Sequence, residues 1–135
     1  MSARSKARKR ALDILFEADL RSSSATDLLE LRPPQDLSQG EYSEALIRGV
    51  SDHREKIDEL IVTYAQDWDM DRMPAIDRNI LRISIYEILW CPEIDDAVAV
   101  SQAVEMATEL STEKSPSYIN GVLGRIIVLK PSFAL

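Results

Sequence analysis

The chain has 135 residues, 45% hydrophobic and 29% charged, with 16 Lys and Arg against 23 Asp and Glu for a net charge of −7. That length builds one core and falls short of two, and the composition is too apolar for a disordered chain. The charge is unevenly laid out: residues 1–10 hold Arg4, Lys6, Arg8, Lys9 and Arg10 and no acid, leaving eleven bases against all 23 acids elsewhere. A basic tip on an acidic body predicts two unlike partners. No apolar run reaches the roughly 18 residues of a membrane span, so no membrane partner is expected. Asp13, Glu17 and Asp19 interrupt the apolar stretch behind the basic N-terminus, which argues against a signal peptide. A single cysteine, Cys91, excludes an intrachain disulfide and fits a reducing cytoplasm. With His53 the only histidine, no Cys/His zinc site is available within one chain, and no cofactor is expected.

Taken in chain order, the apolar period is helical almost throughout. Ala7, Ala11, Ile14, Leu15 and Ala18 form one helical face, ended by Ser22–Ser24. A short helix follows around Asp27–Leu31, stopped by Pro33-Pro34, and residues 33–40 read as a loop. Leu46, Val50, Ile57, Leu60, Ile61 and Tyr64 continue the period, and Gly49 interrupts it. Asp52 and Glu55 have capping-box spacing at a restart, so two helices are expected, about 41–50 and 52–67. From Ile76 to Trp90 the chain is apolar around most of a helical circumference, as a central helix must be, and Pro92 ends it. Val98 to Leu110 forms another helix. The last opens with Ser115 as N-cap and Pro116 in its first turn, buries Ile119, Val122, Leu123, Ile126 and Ile127, and closes at Pro131. The fold class is therefore all-α: a single domain of about seven helices.

Enzyme signatures are missing. The sequence has no glycine-rich phosphate loop, nucleophile elbow or metal-binding helix pair. His53, among Asp52, Arg54 and Glu55, reads as a solvated helix-start residue, and Cys91 as a small buried hydrophobe. Binding features are more informative. Arg4, Arg8, Leu12 and Phe16 climb in i, i+4 steps beside the core face of the first helix, with Lys9 alongside. Cations beside an aromatic pair with phosphates while the ring stacks on a base, the combination used for single-stranded nucleic acid. The alternative is a solubilising terminus with Phe16 packed on another helix. The start of the last helix, Lys114-Ser115-Pro116-Ser117-Tyr118, offers free backbone N–H groups to a phosphate, or is ordinary capping. Gly121 and Gly124 read as a place where helices approach closely. Between Glu93 and Glu113 stand six acids and no Lys or Arg, either a solvated face or a dock for a basic protein.

Three motifs in order carry a resemblance: Lys6-Ala7-Arg8-Lys9-Arg10-Ala11-Leu12 leading to Ile14-Leu15-Phe16-Glu17; Ile76-Asp77-Arg78-Asn79-Ile80-Leu81-Arg82-Ile83 with Tyr86-Glu87-Ile88-Leu89; and Tyr118-Ile119-Asn120-Gly121-Val122-Leu123. Together they resemble the NusB family of bacterial transcription antitermination factors, and the Ser-Pro-containing tail resembles its actinobacterial branch. The resemblance implies two packed helical sub-bundles, about 3–67 and about 73–130, within one domain spanning 1–135. It implies an RNA-binding adaptor that binds box A RNA of ribosomal RNA leader transcripts together with ribosomal protein S10 (NusE). Such an adaptor supports read-through by RNA polymerase, reached indirectly with other Nus factors, and ribosomal RNA maturation.

By position it puts Arg4, Lys6 and Arg8 in an RNA-contacting arm beside Lys9, adds Phe16, Asp77, Arg78 and Tyr118, and leaves Lys114 and Ser115 as the phosphate-facing start of the last helix. Arg8→Ala is then expected to weaken RNA binding without unfolding the bundle. The S10 surface is expected on the second sub-bundle, at Glu87, Asp95, Asp96, Glu105 and Glu109. Lys114 and Gly124 depart from the acids common in the family at those positions. Two alternatives stay open: a helical protein-interaction module, and an RNA-binding domain related to the one preceding the catalytic domain of ribosomal RNA cytosine methyltransferases. The second is disfavoured because no cofactor-binding domain follows before Leu135. The apolar residues of 76–90 are either all core or in part a homodimer interface, and a dimer that buries the basic arm would use semi-exposed Leu12 and Phe16.

Overall fold

The computed structural model describes residues 2–32 and 37–135. Seven α-helices and a terminal 3₁₀ turn make up the described secondary structure: α1 Ala3–Arg21, α2 Ala25–Leu31, α3 Leu37–Asp52, α4 Arg54–Tyr64, α5 Ala75–Trp90, α6 Asp96–Leu110, α7 Ser115–Leu129 and the turn Lys130–Ser132. Ser2 caps α1 by accepting from the Ser5 N–H, and Ser24 caps α2 by accepting from the Asp27 N–H. Between them Ser22 takes the left-handed conformation that ends α1, and the Ser23 N–H bonds back to the Ala18 carbonyl at 2.9 Å. The serine-rich break is thus built from caps.

Four local expectations change. Residues 33–36 of the expected loop lie outside the described residues, but residues 37–40 form the first turn of α3, which absorbs a buried Gly40. Gly49 does not interrupt α3. A Cβ there would stand 2.1 Å from Cζ of Tyr86, so the glycine lets α5 approach α3. The break falls instead at His53, which caps α4 without a side-chain hydrogen bond, and no capping box forms at Asp52 and Glu55. Gly121 and Gly124 have open space where a Cβ would go, so neither mediates a close helix approach.

α1, α2 and α3 pack on one another, and α6 and α7 pack together against α5. α4 packs on α5 and α7 and also touches α3. α5 touches α1, α3, α4, α6 and α7, the position its nearly continuous apolar circumference predicts. It buries Ile80, Leu81, Ile83, Ile85 and Ile88, but also Asp77, Asn79, Arg82, Ser84 and Glu87. Buried polar groups persist only when partnered, and each of these is. Asp77 accepts from Ser111 and from Ser115 at the α6–α7 turn. Asn79 and Arg82 donate to Asp19 of α1, and Arg82 also to Asp58 of α4. The Ser84 hydroxyl returns to the Ile80 carbonyl. Glu87 accepts from Arg8 of α1 and Tyr42 of α3. The central helix is therefore a polar spine inside an apolar shell, tying four other segments to one axis.

Candidate nucleic-acid interface

The α1 tip divides into two faces. Arg4 and Arg8, one turn apart, point toward Tyr42, their guanidinium carbons 5.3 and 5.7 Å from its ring centroid. Arg4 is exposed, whereas Arg8 is 2% exposed. Arg8 Nε donates to both Glu87 carboxylate oxygens at 3.0 Å, and Nη2 lies 2.9 Å from Oε2. The Tyr42 hydroxyl donates to the same carboxylate. Burial and the Glu87 charge together push the Tyr42 phenol far above its ordinary range, so it remains a donor. Leu12, the next step of the expected ladder, is fully buried, and Phe16 is half-buried. The ladder thus leans into the fold, and Leu12 offers nothing to a homodimer. Arg10, half-buried, donates to the Arg32 carbonyl at 2.7 Å.

Two more solvent-accessible cations are on the other side. Lys6 is exposed, and Lys9 stands one turn on, 26% exposed. Here α1 and α6 meet through side chains: the Ser5 hydroxyl donates to Gln102 Oε1 at 2.6 Å, and Lys9 Nζ meets Glu109 Oε2 at 2.5 Å. Gln102 in turn donates to Glu105. The stretch 93–113 is base-free in sequence but not in space, because Lys9 reaches Glu109 and Lys130 reaches Asp96 at 3.1 Å. Asp95 and Glu105 remain exposed. Glu87, expected on that surface, is 1% exposed and committed to Arg8, so it is removed from any protein contact.

At the far end of α1, Arg78 donates to Asp19 at 2.8 Å and to the Met70 carbonyl at 2.7 Å, pinning the α4–α5 connection. Burial raises the Asp19 pKa, but hydrogen bonds from Arg78 and Asn79 and the Arg82 charge outweigh it and hold the carboxyl below its ordinary 3.8. Asp77 and Ser115, expected near RNA, are both fully buried. The Ser115 hydroxyl donates to Asp77 at 2.7 Å and accepts from the Thr112 N–H, so it locks the α6–α7 turn instead of capping α7. The cap position belongs to exposed Lys114. Tyr118 is half-buried, its ring edge-on to Trp68 at 5.1 Å, and its hydroxyl has no hydrogen-bond partner among the described residues.

Residue reading missed four side chains here. Tyr42 and Gln102 carry no motif. Trp68 sits in an irregular acidic stretch, and only its size marks it. His53, read as solvated, stacks on Trp90 with centroids 4.0 Å apart. Among the described residues no group of three or more His, Cys, Asp or Glu is placed to hold a metal, and no helix is long and apolar enough to cross a membrane.

Known proteins place this arrangement. The chain is 48% identical over 139 residues to the transcription antitermination protein NusB of Nocardioides sp., covering 99% of this chain and 100% of that one. It is 52% identical over 131 residues to the same-named protein of Salinispora arenicola, covering 93% of this chain and 96% of the relative. Its fold matches T. maritima NusB with a TM-score of 0.85 at 31% identity, over 93% of this chain and 90% of that one. It also matches a chain from a crystal structure of the antitermination factors NusB and NusE in complex with double-stranded RNA, with a TM-score of 0.83 at 26% identity, over 95% of this chain and 98% of that one. A sequence profile of the NusB family covers residues 5–128. The chain belongs to the NusB family.

Proposed function

We propose that this protein is a non-enzymatic transcription antitermination factor of the cytoplasm, an adaptor that binds box A RNA of ribosomal RNA leader transcripts together with ribosomal protein S10 (NusE). RNA polymerase and other Nus factors are engaged through that complex. The observation that carries the reading is the solvent-facing basic tip of α1, with Arg4 and Lys6 exposed, in a chain of this family. A NusB bound to NusE and RNA among its structural relatives supports it.

The RNA contacts are assigned to Arg4, Lys6 and Lys9 of the α1 tip, with Phe16, Lys114 and Tyr118 in addition. Phosphate contacts fix position and tolerate any sequence, so base preference rests on the aromatic rings or the partner. Arg8, Asp77, Arg78 and Ser115 serve as positioning residues, holding α1, the α4–α5 connection and the α6–α7 turn that carry the contacts. The S10 surface is assigned to Asp95, Asp96, Glu105 and Glu109 of α6 and its cap.

The test is a titration of a short box A oligoribonucleotide across roughly 50–300 mM salt with Arg4→Ala and Lys6→Ala. Each lost phosphate contact reduces the slope of log affinity against log salt by about 0.7 for single strands. Weaker binding with shallower slopes supports the arm; unchanged affinity and slope for both variants refute it.

A further inference from the structure

The Lys9–Glu109 pair joins the two surfaces just assigned. Lys9 belongs to the basic face of α1, one turn from Lys6, and Glu109 to the acidic face of α6. Neither is buried: Lys9 is 26% and Glu109 48% exposed, and their charged ends meet at 2.5 Å. The Lys9 ammonium has one strong anionic partner and open water beside it. A carboxylate on a lysine in that position occupies the place an RNA phosphate oxygen takes, since both are anions accepting from the same N–H donors.

We propose that Glu109 is an internal competitor for RNA at Lys9, and that a basic protein partner engaging Glu109 releases Lys9 to the RNA. This inference rests on the adaptor reading above. It makes one ion pair a coupling element between two binding surfaces. An RNA phosphate that captures Lys9 bares Glu109 for a cation of the partner, and a partner cation on Glu109 frees Lys9. Linkage requires the two effects to be equal.

The size of the effect follows from exposure. A solvent-exposed ion pair shifts an equilibrium roughly 1.5- to 5-fold and is screened by salt, so the competition is weak enough to be reversed by one incoming charge. Asp13, one turn beyond Lys9 on α1, also feels the Lys9 charge. Lys9 therefore keeps an acidic neighbour when Glu109 is gone, which favours the lower part of that range. Both helices are fixed by packing on α5, and the Ser5–Gln102 hydrogen bond at 2.6 Å is a second contact between them, so exchange needs only side-chain motion.

The test is a double-mutant cycle with Glu109→Gln and Lys9→Met, each titrated with box A oligoribonucleotide at about 50 mM salt, with and without S10. The proposal expects Glu109→Gln to tighten RNA binding roughly 1.5- to 5-fold, to have no effect in the Lys9→Met background, and to reduce the enhancement by S10 by the same factor. An equal gain in both backgrounds means that Glu109 only repels RNA, and overturns the proposal. Equal RNA affinity in all four proteins overturns it too and leaves the adaptor reading standing. No RNA binding by any of the four overturns both. Both substitutions are at solvent-accessible side chains, and matching thermal unfolding of the four proteins secures the comparison.

Discussion

Replacing Arg8 with alanine tests whether the α1 tip is an RNA arm throughout or partly an internal strut. In the folded protein the Arg8 guanidinium is 3% and the Glu87 carboxylate 1% exposed, and three nitrogen–oxygen contacts of 2.9–3.0 Å join them. The truncation leaves Glu87 charged, shielded from water and held only by the Tyr42 hydroxyl. Removing one partner of a buried ion pair costs about 3–5 kcal/mol, because the remaining charge stays desolvated. Against a total of about 5–15 kcal/mol for a domain of this kind, that is a large fraction. At this chain length it lowers the melting temperature by roughly 10–20 °C. Thermal and urea unfolding of Arg8→Ala measure the loss, and an Arg8→Met, Glu87→Leu double variant, with no orphaned charge, recovers most of it. A loss below about 1 kcal/mol for Arg8→Ala would refute the strut and return Arg8 to the list of RNA contacts.

Three further outcomes follow from the packing. Gly49→Ala drives a Cβ to within 2.5 Å of two ring carbons and the hydroxyl oxygen of Tyr86, so it destabilises by about 1–3 kcal/mol in urea unfolding; a neutral or stabilised variant contradicts the close approach of α3 and α5. Asp19, held below its ordinary 3.8, contributes stability that is full above that value and lost as pH falls through its lower folded value. Asp19→Asn is accordingly less stable at pH 7 and shows a flatter stability curve below about pH 4 than the parent, measured by urea unfolding across that range; parallel curves contradict the pairing. Burial, with the Glu93 charge adding to it, pushes the Cys91 thiol up to about 11. It therefore reacts with a disulfide reagent at pH 7.5 only as fast as the protein opens, and rapid labelling of the native state contradicts this.

The helices were legible because a 3.6-residue apolar period survives any tertiary detail, and α5 announced its central place by being apolar nearly all round. Its polar residues were not legible as interior. Asp77, Arg82 and Glu87 look like solvated charges in sequence, and their partners Ser115, Asp19 and Arg8 lie 38, 63 and 79 positions away. Arg8 failed for a related reason. At the edge of the helical stripe a long cation turns either out to phosphate or in to a buried carboxylate, and only the distant Glu87 decides which. The same distance hid Lys9 and Lys130 from the acidic tally of residues 93–113. Arg4, Lys6, Lys114 and Glu105 kept their expected exposure, because nothing folds over them.

Affinity for box A oligoribonucleotide, titrated with and without saturating S10 at one salt concentration, tests the adaptor most directly. The account predicts measurable binding by the protein alone and tighter binding with S10 present. RNA affinity indifferent to S10, or S10 binding with no affinity for the RNA, contradicts it.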